Sequence, residues 1–350
     1  MVPKVVCSGN PGTFGLEYGL QCQELIANWI AEVEQFIRNR LLVDPEPLFE
    51  RAQEYFQLQI AKAAPHLWQE ILSLAEACEQ PLAKIIFLQT IPEFASGVFP
   101  ENTLLAVNGP ATKGGNTLVG VNLDFPNELI DRFLVVREIR PEYGPKIMLL
   151  SVAGALGLVG VNDRGLTAAS CSLESSGIQK GLPATILIRL ALEKTNLSAM
   201  VNLIKEATRA TARNYLLADK QSCLNLETTI SASSELGPDE SGVLVHTNHY
   251  LSSGLCENDL ALTKWPESPE RYQRCLNLLQ DKAPLSATEL AETLADHVLY
   301  PKGICRHEQD GVKGARTFAS LIVSTTEPSM LVCPGSPCRG KFDSFNFTAE

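Results

Sequence analysis

Apolar residues recur at spacings of three and four over roughly residues 15–86, the period of a helix face. Leu25, Ile26, Trp29, Ile30, Val33, Phe36 and Ile37 form one stripe. A second helical run, from about Pro47 to Ala64, carries Phe49, Ala52, Tyr55, Phe56 and Leu58 and is interrupted by Pro65. A third carries Leu67, Ile71, Leu74 and Ala75. The period changes near residue 103. Thr103 to Val107 and Thr117 to Asn122 read as strands joined by a Gly-rich turn at Thr112 to Asn116. Phe133 to Ile139, Ile147 to Val152, Leu156 to Asn162 and Leu166 to Ser172 continue the series. Strands arriving in succession without helices between them predict an antiparallel sheet.

Helices then return over Pro183 to Leu192 and Ser198 to Thr208, the second with Ser198 as its expected N-cap. Tyr215 to Asp219 and Cys223 to Thr229 predict a hairpin, and Gly242 to Asn248 a further strand. Pro266 to Leu279 and Ala287 to Leu299 read as helices, the latter capped by Ser286. Thr317 to Ser324 and Met330 to Cys333 predict the last hairpin. No repeat, linker or low-complexity tract divides the 350 residues. The order predicts an α+β layered domain.

Composition narrows the function classes. Hydrophobic residues are 45% and charged residues 20%, ordinary for a globular chain, and the formal charge is −11. That balance argues against a basic surface for nucleic acid or anionic membranes. The most apolar stretch, Ile147 to Val161, is Gly-rich and too short to span a bilayer. Met1 to Gly12 has no long apolar h-region. None of the ten cysteines forms a CxxC pair, and only Cys333 and Cys338 are close in sequence. Free, mostly buried thiols in a reducing, cytoplasmic compartment are expected, with no metal and no cofactor. Gly157 to Gly165 matches neither GxGxxG nor a Walker loop and reads as strands turning tightly.

Polar residues interrupt the apolar pattern at three places that invite chemistry. Asp124 ends an apolar strand between Leu123 and Phe125, where it either starts the turn before Pro126 or must be paired. Val245-His-Thr-Asn248-His-Tyr places an amide donor at a strand end, one way to stabilise an oxyanion. The spacing of His246 and His249 puts them on opposite faces of a strand, against a shared metal. Arg306, in Gly303-Ile-Cys-Arg-His307, can anchor a carboxylate or make a surface salt bridge.

Eight segments, in order over nearly the whole chain, resemble the motifs of the penicillin acyltransferase (peptidase C45-like) family of N-terminal-nucleophile hydrolases. They are Ser8 to Gly15 with Gly19, Leu118 to Phe125, Gly157 to Leu166, Asn214 to Asp219 with Leu226-Glu227, His246 to Leu251, Ser268 to Arg271, Ile304 to His307, and Pro334 to Cys338. The resemblance implies a four-layer αββα sandwich, in one structural domain with a helical pro-segment-like stretch over 1–102 and a core over 103–350. It implies a precursor that cuts itself before a Cys, whose thiol is the nucleophile and whose α-amine is the base. It implies amidohydrolase or acyltransferase activity on a small-molecule amide or acyl donor, with no nucleic-acid or membrane partner. Asp124 matches the Asp beside the nucleophile's amine, Asn248 the oxyanion donor, and Arg306 the Arg near the nucleophile and leaving group. At the nucleophile position this chain has Asn102, no Cys lies between Cys78 and Cys171, and the Arg preceding the family's cut is Ile91. Three readings follow, one of them that the chain binds or processes something through a site these motifs do not mark. In another, Asn102 marks a nucleophile-dead relative that binds on the same fold. In the last, cleavage at Asn102-Thr103 frees Thr103 as the nucleophile.

Overall fold

Two sheets face each other and helices cover both outer sides. The computed structural model describes residues 1–95, 102–127, 129, 131–174, 177–256, 259–308 and 314–348. A strand β1 (Lys4–Gly9) opens the chain and leads into helices α1 (Pro11–Phe36), α2 (Glu46–Ala63), α3 (Pro65–Ala77), α4 (Leu82–Gln89) and α5 (Ile91–Ala95). Strands β2 (Thr103–Val107), β3 (Leu118–Pro126), β4 (Leu134–Pro141), β5 (Ile147–Val152), β6 (Val159–Asn162) and β7 (Thr167–Ser172) follow. Then come α6 (Ala184–Leu192), α7 (Leu197–Glu206), β8 (Arg213–Ala218), β9 (Cys223–Thr228), β10 (Ser233–Leu236) and β11 (Val243–His246). The chain closes with α8 (Ala261–Lys264), α9 (Ser268–Lys282), α10 (Ala287–Leu294), β12 (Ala315–Ser324), β13 (Ser329–Pro334) and β14 (Asp343–Asn346).

One sheet runs β1-β4-β5-β6-β7-β8-β9-β10 and the other β11-β2-β3-β12-β13-β14. Every pairing is antiparallel except β1 with β4, which is parallel. The sheets touch through β2 with β7, β9 with β11 and β6 with β13. Helices α6 and α7 lie on the first sheet, α9 and α10 on the second. The expected αββα layering is therefore what the chain adopts. The parallel edge strand β1 departs from the sequence reading, as do β10 and β14, because short strands carry too few positions for a period to show. Asn196, not Ser198, caps α7, accepting from the Ala199 N–H at 2.9 Å. Ser286 caps α10 as expected, within a capping box completed by Glu289.

The strands that carry the site are buried on both faces, and successive side chains enter different layers. Leu104 and Ala106 of β2 join the core between the sheets. Leu105 and Val107 join a second cluster under α9 and α10. The period of two thus sends neighbouring residues of β2 into different layers.

Gly15 and Gly19 owe their place to packing. A Cβ on Gly15 would lie 2.2 Å from the Glu70 carbonyl oxygen, and one on Gly19 would lie 2.5 Å from the Ala77 Cβ. The two glycines let α1 and α3 meet backbone to backbone. Gly15→Ala is expected to destabilise the fold by about 1–3 kcal/mol through overpacking. Urea unfolding checks this, and an unchanged midpoint would show that the helices can move apart freely.

Candidate functional site

Asn102 immediately precedes β2 in the left-handed region, with φ 65°, a conformation that Asn tolerates better than most residues. Its side chain follows the phase of Leu104 and points between the sheets. There its Nδ2 donates to the Ser170 carbonyl of β7 at 2.7 Å, and its Oδ1 accepts from the Asp124 N–H at 3.0 Å. A small cavity of about 20 Å³ adjoins it, lined among others by Phe125, Ser170, Thr185 and Arg213. Arg213 stands over the same strand, its Nε donating to Ser170 Oγ at 3.2 Å.

Thr103 takes the opposite phase. It is fully buried on the α9 side, where its Oγ1 accepts from Arg271 Nη1 at 2.8 Å. The other arm of Arg271 donates to Asn248 Oδ1. Asn248 turns its Nδ2 toward β7, donating to the Ser172 carbonyl at 3.2 Å and to Ser172 Oγ at 3.1 Å. Its backbone N–H donates to Ser268 Oγ at 2.8 Å, which ties the loop to the start of α9.

Asp124 lies on β3, fully buried on the same side as Thr103. A bulge in β12 between Thr317 and Ala319 sets Thr317 opposite Asp124, and Thr317 Oγ1 donates to Asp124 Oδ1 at 2.9 Å. Arg306 Nε stands 3.5 Å from Asp124 Oδ2, and Arg306 Nη2 is 2.7 Å from Glu267 Oε1. Arg306 is only 3% exposed, so the surface salt bridge considered from sequence is not what forms. Burial pushes the Asp124 carboxyl up to about 6, although Arg306, Arg271 and Thr317 pull the other way. Burial, with repulsion from Arg306, draws Arg271 down to about 10.

Asn102, Thr103, Asp124, Asn248 and Arg306 are therefore linked by direct or one-residue contacts. Arg271 is the member the sequence reading did not assign, although it ends the Ser268 to Arg271 segment. An Arg at helical spacing carries no sign that it will be fully buried. His246 ends β11 and His249 lies beyond it, and the two have different partners. His246 pairs with Glu227 at 2.8 Å, whereas His249 Nδ1 lies 2.9 Å from Ser268 Oγ.

Two larger cavities lie nearby. One of about 200 Å³ sits among α1, α2, α4, α5 and the end of β3, lined only by apolar residues that include Val33, Phe87, Ile91, Phe94 and Phe125. Phe125 thus borders both this space and the cavity beside Asn102. The other, about 270 Å³, opens between the start of α1 and residues 141–145 and touches none of the five. Elsewhere His297, Cys305, His307 and Cys338 bring their ligand atoms together. No helix among the described residues is long and apolar enough to cross a membrane.

Among solved structures, the chain is similar to a Caenorhabditis elegans N-acylethanolamine-hydrolyzing acid amidase ortholog, at 13% identity and TM-score 0.47, over 63% of this chain and 92% of that one. It is also similar to penicillin V acylase from Agrobacterium tumefaciens, at 12% identity and TM-score 0.47, over 70% and 86%. The acyl-coenzyme A:6-aminopenicillanic-acid-acyltransferase 40 kDa form of Emericella nidulans is 26% identical over 338 residues, covering 95% of this chain and 92% of that protein. The family model for acyl-coenzyme A:6-aminopenicillanic acid acyl-transferase matches residues 111–339, a stretch that holds Asp124, Asn248, Arg271 and Arg306 and begins after Asn102 and Thr103. With well over half of its length matched, this chain belongs to the acyl-coenzyme A:6-aminopenicillanic acid acyl-transferase family.

Proposed function

We propose that this chain binds an acyl compound, an acyl amide or acyl thioester, without forming a covalent acyl-enzyme. The observation that carries this reading is Asn102. It stands where the resemblance expects the nucleophile and faces the cavity between the sheets, and both ends of its amide are engaged. An amide has no thiol or hydroxyl that a base could activate. The acyl chain would enter the apolar cavity that shares Phe125. The carbonyl end would then lie toward Asn102 and Arg213.

A second reading has its own support: Asp124, Asn248, Arg271 and Arg306 are gathered on and around Thr103. Cleavage after Asn102 would free the Thr103 amine as base for its own hydroxyl. Asn248 would serve as oxyanion donor, and Asp124 and Arg306 would orient the reactants. Against it, Thr103 Oγ1 is turned to α9 and the Asn248 Nδ2 to Ser172.

Denatured intact mass and ligand titration separate the two. The expected result is a single species of 38.1 kDa. A fluorescent medium-chain N-acyl amine should bind without being hydrolysed. Ile91→Trp, which fills the apolar cavity from its half-buried wall, should weaken that binding about tenfold or more, a loss of about 1.4 kcal/mol. Two fragments meeting at Asn102/Thr103, with turnover of the acyl amine, would establish the Thr103 enzyme instead.

A further inference from the structure

The turn after α10 and the turn after β13 converge on four side chains that the proposed function leaves unused. His297 Nε2 lies 3.0 Å from His307 Nε2. Cys305 Sγ lies 3.4 Å and Cys338 Sγ 3.5 Å from the same nitrogen. All four ligand atoms fall within 4.8 Å of one another. Neutral hydrogen bonding is a poor account of this geometry. One imidazole nitrogen cannot satisfy a second imidazole and two thiols at once, since it offers one proton or one lone pair.

A tetrahedral zinc ion accounts for it. With Zn–N near 2.05 Å and Zn–S near 2.3 Å, a tetrahedron has N–N edges of about 3.3 Å and N–S edges of about 3.6 Å. The three separations to His307 lie close to those edges. The ligand set is two thiolates and two imidazoles, the S₂N₂ chemistry that selects zinc among common divalent ions. We propose that His297, Cys305, His307 and Cys338 form a four-coordinate structural zinc site.

Four protein ligands leave no open position for water or substrate, so the ion would act on structure and not on the reaction. Its effect would reach the candidate site through Arg306. Arg306 sits between two ligands, Cys305 and His307, and its backbone N–H donates to Thr317 Oγ1 at 2.9 Å. An ion gripping both neighbours would hold the Arg306 backbone in place while its guanidinium reaches Asp124 and Glu267. Zinc would also tie the 297–307 segment to Cys338, 31 residues beyond His307. Linear spacing hides the site. No two of the four residues form a CxxC or HxxxH unit, and Cys338 arrives from another turn.

The test is zinc content of the full chain by elemental mass spectrometry after loading with Zn²⁺ and dialysis against metal-free buffer. About one zinc per chain is expected in the wild type, and a small fraction of that in Cys338→Ser. His297→Ala removes the most exposed ligand and is the second variant should Cys338→Ser fail to fold. Co²⁺ in place of Zn²⁺ should give thiolate charge-transfer and tetrahedral ligand-field absorption that both variants lose. A chelator should lower the wild-type melting temperature and leave that of the variants unchanged. Three results would overturn the site: no retained zinc in the wild type, equal retention in both variants, or a Cys305–Cys338 disulfide in freshly purified protein found by peptide mapping.

Discussion

Glu70→Ala should cost the fold about 3–5 kcal/mol, because it strands buried positive charge. Glu70 Oε1 on α3 is 2.6 Å from Arg137 Nη2 on β4, and both side chains are fully buried. Glu70 Oε2 also stands 3.6 Å from Arg189 Nη2 on α6. The Arg137 guanidinium lies 4.0 Å over the Tyr18 ring of α1. Glu70 therefore offsets the buried Arg137 guanidinium and shares Arg189 with Glu193. Urea unfolding at neutral pH measures the loss. Replacing the pair by apolar residues, Glu70→Leu with Arg137→Met, should recover most of it, since both desolvation costs then vanish together. A single-variant loss under about 1 kcal/mol would mean that water reaches the pair. The same experiment bears on domain organisation. Tryptophan fluorescence sums Trp29 of α1, Trp68 of α3 and the buried Trp265 just before α9, while far-ultraviolet dichroism reports on the whole chain. Because Glu70 bolts the N-terminal helices to the first sheet, the two signals should change together in one transition.

Glu227→Ala should have a comparable effect, of about 3–5 kcal/mol, and should loosen the loop that carries Asn248. Glu227 Oε1 pairs with His246 Nε2 at 2.8 Å and accepts from the Leu251 N–H at 2.6 Å, while Oε2 accepts from the Ser252 N–H at 2.9 Å. The variant leaves an imidazolium and two backbone donors without their acceptor. Burial alone would draw the His246 imidazolium down, but Cys171 and the Glu227 carboxylate hold it up at about 10. Burial would likewise raise Glu227, yet His246, Ser252 and Leu251 hold its carboxyl below the ordinary range.

The sign follows for each member of this pair. His246 binds its proton more tightly folded than unfolded. Its stabilisation is complete below its ordinary value of 6.5 and is lost as pH rises toward about 10. Glu227 contributes above its ordinary value of 4.5 and loses that contribution as pH falls. Wild-type urea midpoints should therefore decline between about pH 6.5 and 9.5, and Glu227→Ala should flatten that decline. A wild-type profile that is flat over this range would mean that His246 is neutral in the fold.

The sequence alone determines a good deal of this protein. Helix stripes such as Trp29-Ile30-Val33 and the turn-bounded, continuously buried runs of β2 to β7 are local signals, so most elements are legible without coordinates. The eight ordered segments point to the family, and the family model then matches residues 111–339. Asn102, Thr103, Asp124, Asn248 and Arg306 are all named by position. Tertiary structure alone decides which way each one faces. Asn102 and Thr103 are adjacent in the chain, yet one meets Ser170 between the sheets and the other meets Arg271 under α9. That split follows from strand phase together with which layer covers each face. Neither can be read until β2 has a partner sheet on one side and a helix on the other. Arg271, Thr317 and the Glu227–His246 pair join the network through contacts of long sequence separation, such as the 168 residues from Thr103 to Arg271. The meeting of Cys338 with His297, Cys305 and His307 is of the same kind. Such encounters leave no local period, because they are set by how whole elements pack and not by the residues beside them.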